Sequence, residues 1–114
     1  MLCQRSLKPA PKVRYVQAQF CPVRNLNFMQ FYYTYVIQSE KEGHWYTGFT
    51  NDLRKRFGEH NTGTVFSTKN RGPWRLIYYE GCLNENDARA REKYLKSGMG
   101  KRYLRNRLKF FLNK

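Results

Sequence analysis

The stretch FYYTYVIQSEKEGHWYTGFTNDLRKRFGEH, Phe31 to His60, decides the fold. Phe31 to Gln38 is dense in aromatic and β-branched residues and free of Gly, Pro and charge, which predicts a strand over 31–38. Ser39 to Gly43 is polar and closed by a glycine, as a turn requires. His44 to Thr50 returns as a second strand, and Gly48 removes a side chain where another backbone or a ligand must come close. A helix is expected over 51–60. Asn51 is its expected N-cap, Asp52 sits in the first turn where the helix dipole favours an anion, and Leu53 and Phe57 share a face at i and i+4. Arg56 and His60 share a face at the same spacing. Tyr35 and Tyr46 fall on adjacent strands, so two phenols, a guanidinium and an imidazole can converge on one patch.

Downstream, Asn61 to Pro73 is a loop of thirteen residues, long for a compact domain and therefore a candidate for function. Its Ser67, Thr68, Lys69 and Arg71 are the donor types that hold phosphate oxygens, a plain solvated loop being the alternative. A third strand is expected over 74–81. Alternation sends Trp74, Leu76 and Tyr78 one way and Arg75, Ile77 and Tyr79 the other, and two largely apolar faces suggest a central, covered strand. Asn84 caps a second helix over 84–97, with Glu85 and Asp87 in its first turn. Ala88, Glu92 and Leu95 form its inward stripe. An acid there is unusual, although an i, i+4 surface pair between Glu92 and Lys96 would account for it at a few tenths of a kcal/mol. Gly98 and Gly100 are expected to break the chain before a third helix over 101–112. Leu104, Leu108, Phe111 and Leu112 give that helix an apolar face, and Arg102, Arg105, Arg107 and Lys109 cover the rest. The expected class is α+β: a small three-stranded sheet, mixed or antiparallel, flanked by three helices.

A chain of 114 residues has room for one modest core. Its 22 Lys and Arg against 8 Asp and Glu give a net charge of +14, which points to a polyanionic partner, nucleic acid first. Residues 1–30 hold five of those bases, no acid and three prolines, and show no period of 2 or 3.6. They read as a loosely ordered basic arm, or as an upstream extension to a start at Met29. Residues 31–114 keep 17 bases and 8 acids, a net of +9, so the basic character belongs to the domain. Cys3, Cys21 and Cys82 are an odd number without CxxC spacing, which indicates neither a disulfide framework nor a zinc site. With no long apolar run and no signal-peptide pattern, a cytoplasmic protein with reduced thiols is expected.

These residues resemble the GIY-YIG nuclease superfamily, in its compact single-domain branch, similar to the nuclease domain of the UvrC excinuclease subunit. Tyr33-Thr34-Tyr35 and Tyr46-Thr47-Gly48 stand where the family has its two triplets, with Tyr33, Thr34 and Thr47 departing from the name motif at scaffold positions. The family's helical arginine falls on Arg56 and its following histidine on His60. Glu92, in NENDARAREKYLK, matches its metal-binding glutamate, and the match spans roughly residues 31–112.

The resemblance implies a metal-dependent DNA endonuclease with Tyr35, Tyr46, Arg56, His60 and Glu92 as catalytic residues. One Mg²⁺ or Mn²⁺ would sit on Glu92, with waters and substrate phosphate completing its shell. Arg56 would meet charge on the scissile phosphate. His60, with an ordinary pKa near 6.5, offers a neutral form to orient the water or a tyrosine. One of Tyr35 and Tyr46 would take the water's proton, the sequence leaving open which. A phenol is a poor base unless a cation lowers its pKa, and Arg56 and the metal are the nearby cations. Gly48, Lys69, Arg71, Lys96 and Asn106 are the candidate substrate-binding residues, and the expected partner is DNA, branched or damaged, with any recruiting protein left open. The alternative class is a non-catalytic DNA- or RNA-binding module that uses the same basic face.

Overall fold

The computed structural model describes residues 29–114, and the arm expected over 1–30 lies almost wholly outside them. Three strands, β1 (Tyr32–Ser39), β2 (Trp45–Thr50) and β3 (Trp74–Cys82), form one antiparallel sheet in the order β2-β1-β3. The strand expected to be central, β3, is an edge strand. The central one is β1, whose Thr34, Tyr35, Val36 and Ile37 are all buried.

The apolar look of both faces of β3 has a different cause. Between Val36 and Ile37 the pairing slips, so that Val36 faces Tyr78 and Ile37 faces Leu76, leaving Ile77 as an extra residue. The expected alternation therefore holds only as far as Ile77. Trp74 and Leu76 join Tyr35, Ile37, Tyr46, Leu53 and Phe57 on one side of the sheet, while Ile77 and Tyr78 both join Val36, Leu95 and Leu104 on the other. Tyr79 returns to the first side, where its ring meets Tyr33 edge-on at 6.2 Å.

The first face is covered by α1 (Leu53–Thr62). Asp52, not Asn51, is its N-cap, its carboxylate accepting the Lys55 N–H at 3.2 Å, and Gly63 closes the helix with a left-handed φ of 81°. The second face is covered by α2 (Glu85–Lys96) and α3 (Gly98–Arg107), and a short α4 (Lys109–Leu112) follows. Asn84 caps α2 as expected, by accepting the Asn86 N–H at 2.8 Å. The Thr34 hydroxyl donates to the Ala88 carbonyl at 2.8 Å and ties the central strand to α2.

Gly98 and Gly100 are not a break, since both lie in the first turn of α3. The break is Ser97, whose hydroxyl donates to the Tyr94 carbonyl at 2.6 Å and accepts the Gly100 N–H at 3.1 Å, closing one helix and opening the next. A Cβ at Gly100 would run into the Tyr94 carbonyl and Leu95, so this glycine lets the two helices touch, whereas a Cβ at Gly98 would meet nothing. Among the described residues, no helix is long and apolar enough to cross a membrane.

Candidate active site

Gly48 pairs directly with Tyr35 across the β1–β2 ladder, and a Cβ on it would fall on the Tyr35 ring and hydroxyl. The missing side chain lets the phenol lie flat over β2 and reach the end of α1. There it meets His60, one turn past Arg56. Tyr35 and His60 are 1% and 2% exposed, and the phenol oxygen stands 2.7 Å from His60 Nε2. On the far side of the ring, Nδ1 lies 2.7 Å from the hydroxyl of Thr68, which is 1% exposed.

The proton positions along this chain follow from what each group can do. The Thr68 hydroxyl gives its single proton to the Val65 carbonyl at 3.5 Å and so must accept from the ring, which leaves His60 Nε2 to accept the Tyr35 proton. Nδ1 therefore carries the imidazole proton and donates it to Thr68. Every buried polar atom in the line is used in one direction.

Electrostatics keep the pair uncharged. Burial, reinforced by the Arg56 charge, pushes His60 down to about 4, so the neutral imidazole expected from the sequence is the form present at neutral pH. Burial likewise pushes Tyr35 up to about 12, with the neighbouring Tyr46 and Glu92 adding to the rise. The hydrogen bond from Arg56 and its charge pull the other way and lose. Arg56 does act in the expected direction, lowering the Tyr35 pKa, but in the free protein burial outweighs it. Desolvating a phenolate on the floor of the site costs more than one half-exposed guanidinium returns.

Around this floor stand the other candidates. The Tyr46 ring packs edge-on against His60 at 5.2 Å, and its hydroxyl accepts a hydrogen bond from Ser67 at 3.3 Å. Arg56 is held by Glu59, Nη1 to Oε1 at 3.0 Å, which raises its already high pKa and leaves other N–H groups for a ligand. Glu92, its side chain 20% exposed, sits close enough to Tyr35 for its charge to be felt there, and Lys96 pairs with it at 3.1 Å. Tyr35, Tyr46, Arg56, His60 and Glu92 thus form one cluster.

The expected substrate-binding residues divide. Gly48 is part of the cluster, and Lys96 reaches it through Glu92. Lys69 and Arg71 have exposed side chains on the loop after the 3₁₀ turn Phe66–Thr68, while the Arg71 main chain is spent locally, its carbonyl accepting the Ser39 hydroxyl at 2.7 Å. Asn106 is elsewhere: it lines a groove with Tyr94, Met99, Arg102 and Tyr103 that shares no residue with the cluster. Thr68, read from the sequence as a phosphate donor, is buried and committed to His60. The sequence reading also missed Arg89, whose guanidinium lies 4.2 Å above the Phe49 ring and lines a groove of about 480 Å³ with Arg56 and Lys55. No periodicity could have linked Phe49 on β2 to Arg89 on α2.

The family model for the GIY-YIG catalytic domain matches residues 31–109. The chain belongs to the GIY-YIG family. That is a nuclease family. A UPF0213 protein of Clostridium perfringens is 42% identical over 65 residues, covering 56% of this chain and 69% of the relative. UPF0213 protein YazA of Bacillus subtilis is 39% identical over 66 residues, covering 57% and 66%. The solution NMR structure of the UPF0213 protein BH0048 from Bacillus halodurans aligns with 31% sequence identity and a TM-score of 0.42, covering 65% of this chain and 81% of that one.

GIY-YIG nucleases generally depend on a divalent metal. Among the described residues, no group of three or more His, Cys, Asp and Glu side chains gathers to cage an ion. What exists is the Glu92 carboxylate, mostly sheltered beside Tyr35 and already holding a Lys96 ammonium. That fits a hard cation that keeps most of its waters and takes oxygen from a phosphate, and does not fit a closed structural site.

Proposed function

We propose that this chain is a metal-dependent DNA endonuclease that hydrolyses phosphodiester bonds over the Tyr35–Arg56–Glu92 cluster, acting on branched or damaged strands in DNA repair or processing. The observation that carries this reading is the gathering of a proton acceptor, a fixed cation and a hard carboxylate around one buried phenol oxygen. Arg56 offers its free N–H groups to the non-bridging oxygens as charge builds on them. Tyr46, with Ser67 on its hydroxyl, holds a phosphate oxygen at the rim.

Tyr35 has no need to become a phenolate. As its oxygen takes a proton from the attacking water, it passes its own to His60 Nε2, which leaves a neutral phenol and an imidazolium. The neutral imidazole hydrogen-bonded to the phenol supplies the acceptor, and the negative charge of the bound phosphate would offset the burial and Arg56 charge that hold the imidazole pKa down to about 4 in the free protein. Glu92 would hold Mg²⁺ or Mn²⁺ in place of the Lys96 ammonium, and the bound ion would neutralise phosphate charge and order the nucleophilic water. Exposed Lys69 and Arg71, and the net charge of +9 over residues 31–114, keep the strand on this face.

The test is single-turnover cleavage at saturating protein on single-stranded, duplex, flapped and junction DNA with each metal, beside a binding isotherm. Glu92→Gln keeps the shape and removes the ligand charge, so cleavage should fall by orders of magnitude while binding holds or tightens. Arg56→Ala should abolish cleavage with a modest loss of binding. Near-normal cleavage by Glu92→Gln would overturn the metal assignment. Tight binding without cleavage of any substrate by the natural chain would make it a non-catalytic DNA- or RNA-binding module.

A further inference from the structure

The loop between α1 and β3 carries a feature that phosphate chemistry leaves unexplained. Phe66 is 91% exposed, the most exposed large apolar side chain among the described residues. It is not on a floppy tip. The 3₁₀ turn that holds it is anchored at both ends by buried residues, Val65 and Thr68, whose main chains are joined by a Thr68 N–H to Val65 carbonyl bond of 3.1 Å. Lys69 N–H closes onto the Phe66 carbonyl at 3.4 Å, Thr68 is fixed to His60, and Ser67 reaches Tyr46. A rigid mount of this kind presents the ring outward one residue away from the catalytic cluster. By contrast the other strongly exposed phenylalanine, Phe110, carries the Lys109 ammonium on its face at 5.4 Å.

We propose that Phe66 is a base-stacking platform, on which an unpaired base of the bound DNA lies when the neighbouring phosphate sits over Tyr46 and Arg56. This rests on the endonuclease reading and names its substrate class: DNA with an unstacked or single-stranded nucleotide at the cleavage site. An exposed aromatic ring flanked by the exposed cations Lys69 and Arg71 is the combination that grips single strands, the cations tracking the backbone while the ring covers a base face. An intact duplex offers no such face, because its bases are already stacked on one another. Covering the ring with a base also removes from water an apolar surface that the fold leaves bare.

The experiment uses the full chain and oligonucleotides carrying the fluorescent base 2-aminopurine at successive positions, as a single strand, as a 5′ flap and within a blunt duplex. For the natural chain, fluorescence at one position of the single strand and the flap should be quenched on binding, with little change in the duplex. Phe66→Ala should lose that quenching and bind the single strand and flap about five- to a hundredfold more weakly. Its affinity for blunt duplex should change less than twofold and its melting temperature should not move, since the ring packs on nothing. Phe66→Trp should restore both quenching and affinity. If the natural chain binds DNA and Phe66→Ala binds the single strand and flap as tightly, the stacking platform is wrong while the endonuclease reading stands. If the natural chain binds none of the three DNAs, the endonuclease reading falls and the platform falls with it.

Discussion

Acid should loosen this protein through one side chain, His60. The imidazole is buried and uncharged in the native state and takes up a proton near pH 4, whereas in the unfolded chain it does so near its ordinary 6.5. Between those limits the unfolded chain binds one more proton than the folded one, so stability must fall as the pH falls, with a limiting slope of about 1.4 kcal/mol per pH unit. The stabilisation is complete above 6.5 and is lost progressively toward 4. Worked between pH 7.5 and 5.0, the loss comes to about 2 kcal/mol, a large fraction of the margin of a small domain.

Urea unfolding at those two pH values measures the loss directly, and a His60→Gln variant supplies the reference, because every other titrating group is common to both. The natural chain should lose about 2 kcal/mol more than His60→Gln over the interval. A natural chain whose stability changes by less than about 0.5 kcal/mol over the interval would mean that the imidazole is either charged or wet in the folded state. A slope that survives in His60→Gln would place the titration elsewhere. Either result would remove the neutral acceptor on which the Tyr35 proton transfer depends.

Two further substitutions test the packing. Gly48→Ala puts a methyl group where the Tyr35 ring lies, so it should cost about 1–3 kcal/mol in urea unfolding and depress cleavage further than the stability loss explains, because the phenol is displaced from His60. The two glycines of α3 should behave oppositely: Gly98→Ala meets open space and should shift stability by no more than about 0.5 kcal/mol, whereas Gly100→Ala pushes on the Tyr94 carbonyl and should cost upwards of 1 kcal/mol with a lowered melting temperature.

What could be read from the sequence were features set by neighbours along the chain. The aromatic and β-branched run of β1, the i, i+4 spacing of Arg56 and His60 on α1, and the Ala88, Glu92, Leu95 stripe are local regularities, and each marks its element where it is found. The misreadings have a common cause in decisions made across space. Glycine and a helix stop are linked by propensity, yet Ser97 is the stop, because its hydroxyl serves both helix ends while Gly100 is needed for close approach. Tyr78 faces away from Leu76 because β3 must absorb an extra residue to keep pairing with β1, a demand of the partner strand that leaves no trace in β3 itself.

Thr68 shows the same logic in the site. In sequence it is one of several hydroxyls in a polar, basic loop, and phosphate is the reasonable guess for all of them. Space separates them: the Thr68 hydroxyl is turned inward to accept the His60 proton, while Ser67 beside it turns outward to Tyr46. Both orientations follow from the same short turn, which buries Val65 and Thr68 and so leaves the two residues between them facing solvent. The turn therefore does two things with one geometry. It orients the imidazole hydrogen-bonded to Tyr35, and it holds Phe66 next to Ser67 and so close to Tyr46, so any change that unwinds the turn should disturb the Tyr35–His60 pair and the proposed strand grip together.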